Sequence, residues 1–142
     1  MSSANLDLVR SIYGAWERGD FFSRSDWADP EIEFVVADGP ETGRSTGVAA
    51  MAAAWRSRLS GWEEVEIYAD TCRELDDGRA LVLVTHRGRA KLSGIEMAGP
   101  QTKTAHVFEF SDGRVTRLVV YWDRARAFAD LGLTPEEPDD FR

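Results

Sequence analysis

The chain contains two histidines, His86 and His106, and the strand pattern predicts that both lie on one face of a sheet. If residues 111–113 form a three-residue loop with its glycine left-handed, His106 pairs with Leu118 on the next strand. If the chain turns at the midpoint of the connection formed by residues 92–101, the two flanking strands pair so that the histidines are direct cross-strand neighbours. Their Cβ atoms would then lie about 5 Å apart. Because imidazole titrates near neutral pH, such a pair could shuttle a proton or donate a hydrogen bond to a developing oxyanion.

Two other interpretations of these histidines are open. Each could be a core histidine whose ring nitrogens are satisfied by hydrogen bonds. Together with Asp38 or Asp70 they could instead ligate a metal, but the sequence has no motif with the spacing of metal ligands. We therefore predict a site without a metal ion and without a cofactor.

Aromatic side chains recur around the predicted histidine face. The same hairpin register places Phe108, Leu118 and Trp122 beside His106, and the turn at residues 76–78 pairs Tyr68 with His86. The chain has five tryptophans, and such rings could line an apolar cavity suited to a flat ligand. At helical or strand spacing the same pattern is more often plain core. The predicted pocket residues are Tyr13, Trp16, Trp55, Tyr68, Phe108, Leu118 and Trp122.

The elements that must position these side chains are helices in the first half of the chain and strands in the second. Apolar residues at three- to four-residue spacing, such as Ile12 and Trp16, predict an amphipathic first helix. Asp-Gly turns separate long β-rich runs in the second half. The predicted helices are 5–18, 21–28, 48–59 and 124–131, and the predicted strands are 31–37, 64–75, 79–91, 102–110 and 114–122. This order predicts an α+β fold with helices packed on one face of a curved antiparallel sheet.

The second face of that sheet also needs a cover. Apolar residues occur at both parities of the late strands, as in Leu81 and Leu83 beside Val82 and Val84. Helices would cover one face, and a second subunit would cover part of the other. We therefore predict a homodimer through the outer sheet face.

Length and charge narrow the class of protein. The 142 residues fit one domain, and we assign residues 1–133 to it and residues 134–142 to an acidic, poorly ordered tail. The 17 basic and 25 acidic side chains give a net charge of −8, which disfavours nucleic-acid binding. The sequence lacks a run of about 18 apolar residues and a signal-peptide pattern, so no membrane contact is expected. A single cysteine, Cys72, fits a reducing compartment, and a cytoplasmic protein is expected.

Four short segments carry a resemblance to a known family: Trp16–Asp20, Thr42–Gly47, Val120–Arg124 and Ala129–Leu133. With the order of elements, they resemble the nuclear transport factor two-like superfamily, in its SnoaL-like and ketosteroid isomerase-like branch. The resemblance covers residues 6–133, nearly the whole chain. It implies a curved antiparallel sheet wrapped around N-terminal helices to form a cone-shaped cavity, and a dimer.

The resemblance also implies site residues. Ketosteroid isomerases place a carboxylate base in the loop before the helix that follows the glycine, and Asp38 falls on that position when counted back from Gly47. Their acid on the next-to-last strand corresponds to His106, and their tyrosine falls at Ile12, one residue from Tyr13. In this interpretation Asp38 removes a proton α to a carbonyl. The alternative for Asp38 is an ordinary Asp-Gly turn.

Two further members of the same fold suggest other roles. SnoaL-like cyclases carry an essential aspartate near the position of Asp123, which makes Asp123 a candidate additional acid. Its alternative role is the N-cap of the final helix. Scytalone dehydratase uses two strand histidines and a helix-borne aspartate, for which His86, His106 and Glu17 are the nearest residues here.

The function expected from this resemblance is that of a cofactor-free isomerase or cyclase. It would perform acid–base chemistry on a small, hydrophobic, enolisable carbonyl compound of steroid-like or polyketide-like shape. Asp38 would be the base, while His106 and His86 would polarise the oxygen or return the proton. One alternative is a non-catalytic hydrophobic-ligand-binding or dimerisation module, and another is a dehydratase that uses the histidine pair.

Overall fold

A computed structural model describes residues 3–20, 26–39, 42–75, 78–95 and 103–133 of the chain. Three helices and six strands follow one another in the α+β order that the sequence predicts. In chain order they are α1 (Ser3–Glu17), β1 (Ala28–Val36), β2 (Gly43–Thr46), α2 (Val48–Leu59), β3 (Trp62–Leu75), β4 (Arg79–Ala90), β5 (Lys103–Ser111), β6 (Arg114–Tyr121) and α3 (Arg124–Leu131). No described helix is both long enough and apolar enough to span a bilayer.

The six strands form one curved sheet in the order β2-β1-β6-β5-β4-β3. Neighbouring strands are antiparallel, except that β1 runs parallel to β6. The predicted fold class is therefore confirmed, with one parallel pair in a sheet predicted to be antiparallel. This pair brings the end of β1 beside the end of β6, where three of the predicted site residues lie: Asp38, Trp122 and Asp123.

The two faces of the sheet carry separate apolar cores. The inner core joins the sheet to α1 and α2, and it contains Ile12, Trp16 and Trp55. The outer core joins the other face to α3, through Ala127 and Phe128. Apolar residues at both strand parities are thus explained in part by a helix of the same chain. The homodimer through the outer face stays a prediction.

The hairpin between β5 and β6 differs from its predicted register. Asp112 and Gly113 form a two-residue turn with φ of 53° and 78°, in place of the three-residue loop. A bulge at Thr116 follows, so His106 pairs with Val120, two residues beyond the predicted partner. Because the shift is even, the predicted face is preserved, and the inner core includes Phe108, Phe110, Leu118 and Val120.

The prediction that the two histidines are direct cross-strand neighbours is wrong. His106 pairs with Val82, so His86 lies four residues further along β4. Thr85 pairs with Lys103, so the midpoint of the connection falls at residue 94, two to three residues before the midpoint of residues 92–101. Both side chains nevertheless lie on the inner face, and their ring centroids are 5.9 Å apart.

The register between β3 and β4 changes within the strands. Next to the turn, Leu75 pairs with Arg79 and Cys72 with Val82, as a three-residue turn at residues 76–78 predicts. A bulge at Asp70 then shifts the register by one residue. As a result Ile67, rather than Tyr68, pairs with His86, and Tyr68 lies on the outer face.

Two further local predictions fall in the first half of the chain. Strand β2 was predicted as loop, because its short polar sequence has no alternating pattern. The predicted helix over residues 21–28 falls mainly on residues 21–25, which lie outside the described residues, and Ala28 begins β1. The predicted tail, residues 134–142, also lies outside them.

Candidate functional site

The centre of the inner face is a hydrogen-bonded pair of Tyr13 and His106. Tyr13 lies on α1 and His106 on β5, and the Tyr13 hydroxyl lies 2.6 Å from Nδ1 of His106. Tyr13 is 1% exposed and His106 is not exposed at all. Both side chains are therefore shielded from water by the helix and the sheet that carry them.

The proton of this hydrogen bond belongs to Tyr13. Burial is the main cause that raises the pKa of Tyr13 well above 10.0, so its hydroxyl stays protonated at neutral pH. Among the described residues the Tyr13 hydroxyl has no second hydrogen-bond partner, so accepting from His106 would leave its own proton unsatisfied. We infer that Tyr13 donates to Nδ1, which places the proton of neutral His106 on Nε2.

Aromatic rings enclose this pair. The His106 ring centroid lies 6.1 Å from that of Trp16, 5.9 Å from that of Trp55 and 6.5 Å from that of Phe108. The ring of His86 stands nearly perpendicular to that of His106, at an interplanar angle of 88°. The structure therefore brings together most of the residues predicted to surround the histidines. They are Tyr13, Trp16, Trp55, His86 and Phe108, with Leu118 in the same core.

Asp38 lies two residues beyond the end of β1 and binds backbone groups at the junction of β6 and α3. One carboxylate oxygen accepts the backbone N–H of Trp122 at 2.6 Å, and the other accepts that of Asp123 at 3.1 Å. Asp38 therefore fastens the end of β1 to the junction of β6 and α3. Gly39 completes the contact, because its φ is 93° and a Cβ atom there would lie 2.8 Å from the Trp122 indole.

Asp123 is the N-cap of α3, which is the alternative role that the sequence indicates for it. Its side chain accepts the backbone N–H of Ala125 at 2.9 Å and caps the N-terminus of α3.

Tyr68 lies away from the histidines, on the outer face. There its hydroxyl donates to the Glu66 carboxylate, and the Arg87 guanidinium lies 5.9 Å from the ring centre.

A pocket of about 470 Å³ lies between α2 and strands β1 and β2, where the inner face opens to solvent. Its wall combines apolar side chains with hydroxyl groups from β2 and α2. Of the seven predicted pocket residues, Trp122 lines it. The wall consists of Phe34, Val36, Thr42, Gly43, Arg44, Ser45, Ala54, Ser57, Gly61, Trp62 and Trp122, and we call this cavity the mouth pocket.

Sequence patterns alone missed most of the mouth pocket. Thr42 to Ser45 were assigned to a loop, and Ser57 is a polar residue on an alanine-rich helix. One sequence feature did point to this pocket. A large aromatic residue, Trp62, follows Gly61 just beyond the end of the predicted helix. In the described residues, no three His, Cys, Asp or Glu side chains are grouped so that they could hold a metal ion.

Comparison with known proteins identifies a family for this arrangement. The family model of the SnoaL-like domain matches residues 9–118 of the chain. Among curated proteins there is no significant match. Among solved structures, an NTF2-like protein of unknown function from Burkholderia pseudomallei is 26% identical, with a TM-score of 0.72 over 91% of this chain and 97% of its own. The resemblance to the nuclear transport factor two-like superfamily is thereby confirmed.

Two more distant structures share the fold. A candidate isomerase from Bacillus subtilis is 18% identical, with a TM-score of 0.70 over 94% of this chain and 98% of its own. A candidate polyketide cyclase from Sinorhizobium meliloti is 23% identical, with a TM-score of 0.56 over 80% of this chain and 93% of its own. At these identities the likeness extends to the fold alone.

Proposed function

Because the chain belongs to the SnoaL-like domain family, we propose that it binds a small, flat, largely apolar ligand in the mouth pocket. The observation that carries this proposal is the pocket itself. Its volume of about 470 Å³ lies within the range of small-molecule sites, roughly 300–1,000 Å³. Trp62 and Trp122 provide aromatic surface, which favours a flat ring system.

Hydroxyl groups give the pocket a polar side. Thr42, Ser45 and Ser57 line the wall together with the apolar residues. Polar and apolar groups share the pocket wall in similar measure, and the polar groups orient a ligand through its oxygen atoms. A flat aromatic ketone combines both features, so ketones of this class are the ligands that we expect.

Filling the mouth pocket should block binding of such a ketone. Ser57 is an exposed residue of α2 in the pocket wall, so the indole of Ser57→Trp should fill part of the pocket without removing core contacts. Titration with 2-tetralone, followed by tryptophan fluorescence or calorimetry, should show affinity weakened by at least about tenfold in this variant. Ala49→Trp, at an exposed position of the same helix outside the pocket wall, should bind like the wild type. Equal affinity in all three proteins, or no binding by the wild type, would contradict the proposal.

A second candidate function is acid–base isomerisation or cyclisation of an enolisable carbonyl compound. The hydrogen bond of 2.6 Å between Tyr13 and His106 favours it. With Nδ1 occupied by Tyr13, the Nε2–H of His106 is the group that would donate to a carbonyl oxygen as negative charge develops on it. Asp38 remains the predicted base, since each of its oxygens keeps a lone pair beyond those that accept the backbone N–H groups.

Enolisation by this site should be visible as hydrogen exchange. In D₂O, removal and return of the α-protons of 2-tetralone replaces hydrogen with deuterium, which proton NMR follows directly. His106→Gln should lower the protein-catalysed exchange rate by about 100-fold or more. Ala49→Trp serves as the folded control and should keep the wild-type rate. Exchange that persists in His106→Gln would exclude His106 from the enolisation.

A further inference from the structure

We propose that Trp55 separates the mouth pocket from the buried Tyr13–His106 pair and so decides how deep a ligand can enter. Trp55 projects from α2 into the inner core and is 4% exposed. Its ring contacts the pocket wall on one side and the histidine on another. The Trp55 side chain is therefore the positioning residue that sets the depth of the site.

The contacts of Trp55 place it between the two compartments. Phe34 lines the mouth pocket, and its ring meets that of Trp55 edge to face at 5.7 Å. The ring of Trp55 in turn lies 5.9 Å from that of His106. Ala54, the residue before Trp55 on α2, also lines the pocket. A ligand in the mouth pocket thus meets the layer of Phe34 and Trp55 before it reaches His106.

The inner face carries a second polar group close to His106 on β5. Thr104 lies two residues before His106 on β5, so both side chains lie on the same face of the strand. Thr104 is 1% exposed, and its hydroxyl has no hydrogen-bond partner among the described residues. Leaving a buried hydroxyl unsatisfied is costly, and a ligand oxygen placed there would satisfy it. The inner face beside His106 therefore suits the carbonyl end of a ketone.

The aromatic partners of Trp55 hold it in place. Its ring stacks on that of Trp16 at 5.1 Å, with an interplanar angle of 27°. An apolar ring on a helix can be replaced by smaller apolar side chains without adding a buried polar group. Residue 55 therefore offers a graded series from Trp through Phe and Leu to Ala, in which the barrier becomes progressively smaller.

The separation can be tested without any ligand, by the reaction of histidine with diethyl pyrocarbonate. In the wild type His106 should react slowly, and in Trp55→Ala at least about ten times faster, because the barrier to reagent is gone. Mass spectrometry of peptides distinguishes His106 from His86. Trp27→Ala is the matched control, since Trp27 is a core tryptophan of the same cluster that lies outside the wall of the mouth pocket.

The outcomes distinguish a barrier from general loosening of the core. Reactivity of His106 that rises from Phe to Leu to Ala at residue 55, and stays low in Trp27→Ala, supports the proposal. If Trp55→Ala does not fold, as judged by circular dichroism, the Leu variant carries the same test. Equal reactivity in the residue 55 variants and Trp27→Ala, or fast reaction in the wild type, would overturn it.

A second measurement adds the ligand, and this step rests on the proposed function of the mouth pocket. In Trp55→Ala, saturating 2-tetralone should protect His106 from the reagent more strongly than in the wild type, because the ketone then reaches the inner face without having to displace the Trp55 ring. Binding without protection would refute the role of Trp55 in setting ligand depth and leave the mouth-pocket proposal intact. Absence of binding would refute the mouth-pocket proposal, while the ligand-free reactivities would still decide the barrier.

Discussion

Replacing Asp38 with alanine is expected to destabilise the protein by about 2–4 kcal/mol, because two backbone N–H groups lose a charged acceptor. The two hydrogen bonds, to Trp122 and Asp123, fasten β1 to the start of α3. Asp38→Asn should cost about 1–2 kcal/mol, since an amide keeps one acceptor oxygen but turns an N–H₂ group toward the other N–H. Urea denaturation measures both values, and the melting temperature should fall by about 3 °C per kcal/mol.

This experiment also separates the two interpretations of Asp38. Asp123→Asn is the matched control, because it removes the same charge from the adjoining contact while asparagine remains a good N-cap. Its stability should lie within about 0.5 kcal/mol of the wild type. If Asp38→Asn keeps full stability and loses only the deuterium exchange of 2-tetralone, Asp38 is the base that the resemblance implies and the role as a tether is refuted.

The long elements of this fold could be predicted from the sequence because each has a strong local pattern. The helix over 48–59 and the helix over 124–131 were predicted with the bounds that the structure shows. Alanine-rich composition specifies the former, and for the latter a capping aspartate at 123 and a glycine at 132 mark the ends. Strand β2 has four residues of no periodicity, and its place is determined by pairing with β1, which no local pattern records.

The register of the sheet was less predictable for a physical reason. Bulges at Asp70 and Thr116 each add one unpaired residue, and a bulge leaves no reliable mark in the sequence. The bulge at Asp70 shifts its strand by one residue and moves Tyr68 to the outer face. At Thr116 the bulge follows a two-residue turn, and the two departures together preserve the predicted face of His106.

The residues of the site likewise differ in how well the sequence predicts their positions. That the histidines share one face follows from strand parity, which sequence reveals well. The partner of His106 is Tyr13, 93 residues away on α1, and only the packing of helix on sheet brings them together. The contacts of Asp38 likewise depend on the parallel pairing of β1 with β6, which joins strands far apart in the chain.

Alkaline pH is expected to destabilise the protein steeply, through two buried acids on the inner face. Burial is the largest cause that raises the pKa of Cys72 from 9.0 to about 12, and burial likewise raises the pKa of Tyr13 well above 10.0. Between pH 9 and 12 the unfolded chain loses the Cys72 proton while the folded chain keeps it, so stability falls as pH rises. Tyr13 adds to this loss above about pH 10, the ordinary value for tyrosine, and so does Tyr121, because burial raises its pKa to about 12. Below about pH 8 none of these groups contributes a slope.

The size of the effect follows from the shift at Cys72. Each pH unit in this window costs about 1.4 kcal/mol per group, so stability should fall by about 2 kcal/mol from pH 9 to pH 10.5. Urea denaturation at several pH values measures the slope. Cys72→Ala should flatten it between pH 9 and 10, and Tyr13→Phe should reduce it above pH 10. Val84→Ala, a truncation in the same core with no titrating group, should lower stability equally at every pH. An unchanged slope in Cys72→Ala would show that the thiol is not protected by burial, because burial is what keeps its proton in place.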